Sequence, residues 1–206
     1  MVFDMPFFEK TMPIENDRLQ TLIYQAEKGN PISQVKLAAH YWVVEKDGAS
    51  AIKYATMAAN NNDPDGMWIL ATVYQFSEDV NDSQKAKEWY LKAAEKGNVS
   101  ALYSVGTFFY DGLFDFEENK DLGIDYLRAA AFNDSFNAMK MLAEIYSERF
   151  FDIPKEDRKN SRFRESQDYL DLISFWAKRA MEATSDEEEK EEIKNIIKKL
   201  KEAIGK

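Results

Sequence analysis

Apolar residues along this chain recur at i, i+3, i+4 and i+7, the period of a helix with one buried face, and the helical pattern itself repeats. Four segments share the order apolar–small–x–apolar–aromatic: Leu37-Ala38-x-His40-Tyr41, Leu70-Ala71-x-Val73-Tyr74, Val105-Gly106-x-Phe108-Phe109 and Leu142-Ala143-x-Ile145-Tyr146. Successive copies are 33, 35 and 37 residues apart. A second pattern lies between them: Ala51, Tyr54, Ala58 and Ala59; Ala86, Trp89, Ala93 and Ala94; Gly123, Tyr126, Ala130 and Ala131. Each copy opens four residues after a helix-capping type, Asp47, Asp82 or Asn119, whose side chain can accept hydrogen bonds from the free N–H groups of a first turn.

The distance from each capping residue to the next Leu70, Val105 or Leu142 is 23 residues every time, so all variation in length falls in the loop between the two helices of a repeat. The cap position recurs at Asp168, ahead of Phe175, Trp176 and Ala180, which makes the fourth loop about 12 residues longer than the third, over roughly Glu148 to Gln167. Small residues at Ala38, Ala71, Gly106 and Ala143 admit close approach of a partner helix. One helix pair cannot bury its apolar face alone, so the pairs must stack. The pattern predicts an all-α, right-handed α-solenoid of antiparallel pairs, about ten helices in all.

The run from Lys85-Ala86-Lys87-Glu88-Trp89-Tyr90 through Ala93-Ala94-Glu95-Lys96-Gly97-Asn98 to Ala101 resembles the signature of the Sel-one-like repeat (SLR) family, relatives of the tetratricopeptide repeats. Ala26-Glu27-Lys28-Gly29-Asn30 is a second close match, and Asn60 to Gly66 and Ala131 to Ala138 are degenerate copies. The resemblance covers about residues 15 to 184. It departs at both ends, in the fourth loop and at His40, where the other repeats carry Val73, Phe108 and Ile145. Members of that family are protein-interaction adaptors, so the resemblance implies binding and carries over no catalytic residue. It also places the first helix of each pair on the concave surface. Its groove-facing positions are then Val35, Ala39 and Trp42; Trp68, Thr72 and Gln75; Tyr103, Thr107 and Tyr110; Lys140, Glu144 and Ser147. Trp42, Trp68, Tyr103 and Tyr110 would form an exposed aromatic track, built from residue types enriched at binding hot spots.

The ends need caps of their own. Ser185-Asp186-Glu187-Glu188 signals a capping box opening a C-terminal helix over 185–206, with Lys198, Lys199 and Lys201 in its last turns. Its stripe of Ile193, Ile196, Ile197, Leu200 and Ile204 is short for a coiled coil, which favours a lid on the last repeat over a dimerisation helix. At the other end, Phe3, Met5, Phe7, Phe8 and Met12 are interrupted by Pro6 and Pro13, so residues 1–14 are expected to lie extended across the first helices.

Composition narrows the function. The chain has 206 residues and a net charge of −10, which repels phosphate backbones and disfavours nucleic acid as a direct partner. The acids concentrate in the second and third loops, at Glu78, Asp79, Asp82, Asp111, Asp115, Glu117 and Glu118, and stacking would set these loops side by side as an acidic rim. The fourth loop has the opposite sign, with Lys155, Arg158, Lys159, Arg162 and Arg164 against Glu156 and Asp157. With no cysteine there are no disulfides, thiolate nucleophiles or Cys-type zinc sites. His40 is the sole histidine, and it is expected to be an interior, hydrogen-bonded residue. The acids of the third loop lack EF-hand spacing, and there is no phosphate-binding glycine motif, so no cofactor or metal is expected. No signal peptide or membrane-length apolar run is present, and a cytoplasmic, monomeric protein is expected. These features together predict a non-enzymatic protein that binds a basic protein partner, one form being a bacterial immunity or antitoxin protein that neutralises a toxin. A signalling or assembly adaptor is the alternative. A hydrolase or transferase using His40 or loop carboxylates is the alternative of another class.

Overall fold

In a computed structural model of the chain, residues 14–158 and 164–204 are described, and all their regular structure is helical. The arm expected at 1–14 therefore lies outside the described residues apart from Ile14, as do Lys159 and Arg162 of the fourth loop. The helices are α1 (Asn16–Glu27), α2 (Pro31–His40, continued by a π-helical turn Tyr41–Glu45), α3 (Gly48–Asn60), α4 (Pro64–Phe76), α5 (Ser83–Glu95), α6 (Val99–Asp111), α7 (Lys120–Phe132), α8 (Phe136–Asp152), α9 (Lys155–Arg158), α10 (Arg164–Ala183) and α11 (Glu187–Ile204). They divide into two compact units, the first ending at Gly123 and the second beginning at Ile124.

In the first unit the turn from one repeat to the next is made the same way each time. Gly29, Asn62 and Gly97 take positive φ, 89°, 58° and 80°, which glycine adopts without strain and asparagine tolerates. The next residue, Asn30, Asp63 or Asn98, then donates its N–H back to the carbonyl of Gln25, Ala58 or Ala93, and its side chain caps the following helix. The degenerate copy at Asn60 to Gly66 thus keeps the backbone conformation while losing the glycine. Cross-repeat bonds reinforce this edge. Asn61 Nδ2 donates to Gln34 Oε1 at 2.9 Å, Gln34 Nε2 to the Ala26 carbonyl at 2.9 Å, and Asn98 Nδ2 to Asp65 Oδ1 at 2.7 Å.

The loops inside the repeats differ in length but close identically. The N–H of Asp47, Asp82 or Asn119 donates to the carbonyl of the motif aromatic, Tyr41, Tyr74 or Phe109. The closures span 6, 8 and 10 residues, the same increments of two that separate the repeat periods. Each closing residue also caps the next helix, accepting from Ser50 N, Lys85 N or Leu122 N. The small positions work as expected: Ala38 and Ala71 are fully buried. A Cβ on Gly123 would fall 2.7 Å from Tyr110 N and 2.8 Å from the Gly106 carbonyl, so α7 meets α6 backbone to backbone.

The second unit packs α8 most extensively on α10, and α11 on both. Its core is Leu127, Met139, Leu142, Tyr146, Phe150, Ile173, Trp176 and Ile193. Two expectations are corrected here. Among its described residues the long fourth loop is mostly helix: α8 continues to Asp152, α9 runs from Lys155 to Arg158, and α10 is described from Arg164. The reason is burial. Phe150 is fully buried and Ile153 nearly so, and the Arg158 guanidinium lies over the Phe150 and Phe151 rings at 5.8 and 5.2 Å while donating to the Ile153 carbonyl at 2.7 Å. Asp168 consequently lies inside α10 rather than ahead of it. The C-terminal cap moves one residue, to Asp186, which accepts from Glu188 N at 2.8 Å. Helix α11 buries Ile193 and Leu200 within this unit.

Candidate functional site

The groove-facing positions assigned by resemblance fall into two groups, those on α2, α4 and α6 in the first unit and those on α8 in the second. On α2, Val35 and Trp42 are half-buried and Ala39 is buried. Trp42 sits in the π-helical turn, a wide turn of the kind that marks functional segments in many helices. On α6, Tyr103 and Tyr110 are half-buried, and Thr107 is buried with its hydroxyl donating to the Tyr103 carbonyl at 3.0 Å. The Lys120 ammonium lies 5.6 Å from the centre of the Tyr110 ring.

Helix α4 departs from the expected exposed track. Trp68 is only 2% exposed, and Thr72 and Gln75 are also buried. Thr72 faces Tyr90 of α5: their hydroxyls are 3.3 Å apart, and Thr72 Oγ1 also donates to the Trp68 carbonyl. Burial holds the Tyr90 phenol far above its ordinary pKa. The resemblance assigned Thr72 to the groove, but the side chain lies in the packing between α4 and α5.

In the second unit, Lys140 pairs with Glu192 of α11 at 2.7 Å, so α11 claims a position assigned to the groove. Ser147 is buried, its hydroxyl donating to the Ala143 carbonyl at 2.7 Å. Glu144 is solvent-accessible yet crowded. Displacement of water by its surroundings pushes its pKa up, opposed by Lys140 and assisted by Glu192 and Glu148.

The two acidic loops are brought to one edge of the first unit. Phe76, just before the second loop, meets Phe114 of the third edge-on at 5.6 Å, and Phe114 in turn meets Phe108 at 4.8 Å. Phe116 packs on Phe109 at 4.9 Å. Phe114 and Asp115 both hold positive φ, 51° and 61°, a conformation costly for non-glycine residues that this aromatic cluster sustains. Lys87 secures the loop, donating to the Asp115 carbonyl at 2.6 Å and lying 5.0 Å from the Phe116 ring centre. Glu78, Asp79, Asp115, Glu117 and Glu118 stand exposed on this edge. Asp111 is held above the usual carboxylate range by burial, with Glu118 adding to the effect against Lys120. Asp82 serves structure instead: it caps α5 and pairs with Lys85 at 2.8 Å. Lys85 and Lys87 of the flanked helix, with Lys120, temper the rim.

His40 is buried as expected, 2% exposed, with Nε2 3.4 Å from Glu45 Oε1 and its ring edge-on to Tyr41 at 5.7 Å. Among the described residues neither ring nitrogen makes a hydrogen bond of good geometry, so the hydrogen-bonded histidine expected here is instead one placed for an ion pair when protonated. Tyr41 stacks on Tyr54 at 5.6 Å, and burial raises its phenol pKa. Of the basic fourth-loop residues, Lys155 and Arg158 line an open recess of the second unit with Phe151, Lys199 and Glu202. Among the described residues no group of three His, Asp or Glu side chains could hold a metal ion, and no helix is long and apolar enough to cross a membrane.

Stacked, capped helix pairs presenting a recessed aromatic face define an all-α repeat scaffold. The chain matches the Sel1 repeat family over residues 31–63, 64–98 and 99–131 and is a Sel1-repeat protein. Proteins built on this repeat mediate protein–protein interactions. The fold is similar to that of a Sel1 repeat protein from Oxalobacter formigenes, with a TM-score of 0.65 and 20% identity over 89% of this chain and 79% of that one. It is also similar to c5321, a protective antigen of uropathogenic Escherichia coli with an SLR fold, with a TM-score of 0.56 and 19% identity over 91% of this chain and 41% of that one. In sequence, the chain is 28% identical over 130 residues to chitin synthase regulatory factor 3 of Schizosaccharomyces pombe, which is 60% of this chain and 14% of that protein. It is 29% identical over 102 residues to the ERAD-associated E3 ubiquitin-protein ligase component HRD3B of Arabidopsis thaliana, 48% of this chain and 16% of that protein. The chain thus spans only a small part of the length of either relative.

Proposed function

We propose that this chain is a non-enzymatic binding protein that grips a basic protein partner, the acidic rim steering the encounter and the half-buried aromatics supplying contact. The observation that carries this reading is the convergence of two acidic loops on one edge, held rigid by Phe76, Phe108, Phe114 and Phe116. Fixed like charges raise the local potential and speed association with an opposite charge, while Trp and Tyr contribute affinity once water is excluded. Trp42, Tyr103 and Tyr110 are the contact aromatics, and Trp68 and Thr72 act from beneath them. Buried His40 takes no part in chemistry. One form of this function is a cytoplasmic, monomeric immunity protein that masks the phosphate-binding surface of a basic toxin.

Titration of the chain with a candidate basic partner, by calorimetry at low and raised salt, tests the reading. Affinity should fall steeply with salt, and the variant Glu78→Lys/Asp79→Lys/Glu117→Lys/Glu118→Lys should lose binding. Trp42→Ala/Tyr103→Ala/Tyr110→Ala together should weaken it by about tenfold or more. Binding untouched by both variants sinks the proposal. The second reading, an assembly or regulatory adaptor, is favoured by the names of the two curated relatives, one a regulatory factor and the other a ligase component. A partner that is itself part of a stable complex would support it.

A further inference from the structure

Charge along α11 is segregated. Its first turn carries Glu187, Glu188 and Glu189, and its C-terminal end carries Lys198, Lys199 and Lys201, an order the helix dipole favours. The earlier lysines are neutralised along the helix, Lys190 by Glu187 at 2.7 Å and Lys194 by Glu191 at 3.1 Å. Ile193 and Leu200 are buried, and the three later lysines are left exposed. Among the described residues none of the three has a carboxylate within ion-pair distance, and neither has Lys155 of α9.

Helices α9 and α11 wall an open recess of about 830 Å³ whose lining includes the half-buried Phe151 of α8. Lys155 and Lys199 line it, with Glu156 and Glu202. Arg158 lines it too, but its guanidinium is held by the Phe151 and Ile153 carbonyls and supplies fixed charge rather than a free arm. A shallower hollow shares Glu202 and adds Lys194, Ile197, Lys198 and Lys201. Together the two hold six cations and two carboxylates, in a chain whose net charge is −10.

That local reversal of sign selects an anionic ligand, and the shape selects its form. A recess of this volume has room for a few residues of a peptide. Nucleic acid fits poorly, because Glu156 and Glu202 would face its continuous phosphates and the net charge opposes its approach. A lipid surface is flat and does not follow the recess inward to Phe151. A peptide can space its carboxylates, offer backbone N–H groups to Glu156 and Glu202, and place an apolar side chain on the ring. We propose that this recess docks an extended acidic segment of a protein partner. An apolar side chain of the segment lies against Phe151, its carboxylates meet Lys155 and Lys199, and it continues over Lys198 and Lys201. The recess belongs to the second unit and the acidic rim to the first, so this docking holds or fails independently of the basic partner proposed above. With both, the chain would gather proteins of opposite charge on one scaffold.

The test is fluorescence anisotropy of the full chain with a labelled peptide of sequence EDEFDE. Binding should saturate and weaken as salt is raised. Lys155→Glu/Lys199→Glu should weaken it by about tenfold or more, and Lys198→Glu/Lys201→Glu by a smaller factor. Lys155→Gln/Lys199→Gln should weaken it in the same direction, while Glu78→Lys/Asp79→Lys in the first unit leaves it within twofold. No saturation by about 1 mM peptide overturns the proposal, as does binding that the Lys155/Lys199 variants leave unchanged. Hexaglutamate bound as tightly as EDEFDE overturns the contact with Phe151. Tighter binding to oligothymidylate or to phosphatidylserine vesicles overturns it in favour of nucleic acid or lipid. Self-association in sedimentation that Lys155→Glu/Lys199→Glu abolishes overturns it in favour of a second copy.

Discussion

The two units solve one problem, burying the apolar faces of paired helices, by different means. In the first, α3, α4, α5 and α6 are each 13 residues long, and every junction reuses the same positive-φ turn, cap and loop-closing bond. The second unit keeps that turn at Asp134, φ 63°, with Ser135 as the cap, but α8, α10 and α11 run to 17, 20 and 18 residues and its elements are tied by side chains that meet once: Lys140 of α8 with Glu192 of α11, Arg179 of α10 with Asp134 at 3.0 Å, and Arg128 of α7 with the Tyr146 hydroxyl of α8 at 2.6 Å. A repeating unit must hand on the geometry it receives, so its local rules are strict. In the second unit the helices past the Asp134 turn lengthen and cover one another.

The sharpest way to break this contrast is in the segment that sequence alone reads as a long loop. Phe150→Ala should cost about 3–5 kcal/mol in urea denaturation, the range for emptying a fully buried aromatic site. A negligible loss would mean that the segment is a solvated insertion after all. Next in size is Gly66→Ala, at a junction of the first unit. Alanine is the better helix former, yet its Cβ would stand 2.3 Å from the Ala58 Cβ and 3.1 Å from the Ala58 backbone carbon. A loss of about 1–3 kcal/mol is expected from overpacking, and a gain in stability would show that α3 and α4 do not approach so closely.

Asn98→Ala removes both the cap of α6 and the bond to Asp65, for an expected loss of about 1–2 kcal/mol in the same assay. The smallest effect concerns Asp65 itself. Burial, with Asp63 adding to it, raises this carboxyl above its ordinary pKa, against the Asn98 bond. The folded state then binds the proton more readily than the unfolded state. Its contribution to stability is complete below the unfolded pKa and is lost as pH rises through the folded one. Asp65→Asn should therefore melt higher relative to the parent at neutral pH than at pH 3, and an unchanging difference across that range would refute the shift.

Much of the fold was legible because its rules are local. The caps at Asp47, Asp82 and Asn119, the turn after Ala26 and Ala94, and the small residues at Ala38, Ala71 and Gly123 each act within a few residues or against an adjacent helix. The candidate site was less legible. The acidic loops could be assigned to one edge from their common place in the repeat. Their rigidity could not, since it rests on Phe76 meeting Phe114 and on Lys87 reaching the Asp115 carbonyl, contacts 38 and 28 residues apart in sequence. Thr72 was misplaced because a helical position can face either the groove or the next helix, and Tyr90 decides which. Asp168 was misplaced because a cap residue inside a helix has the same letter as one at its start.

By itself the amino-acid sequence determined the repeat, its period, the site of its length variation and the residues that turn the chain, all of which follow from hydrogen bonds and steric limits within one unit. Tertiary structure alone decided which concave positions are closed, which acids stand free and where the fourth loop becomes helix. Those outcomes depend on what packs over a residue from far along the chain, and periodicity carries no record of that.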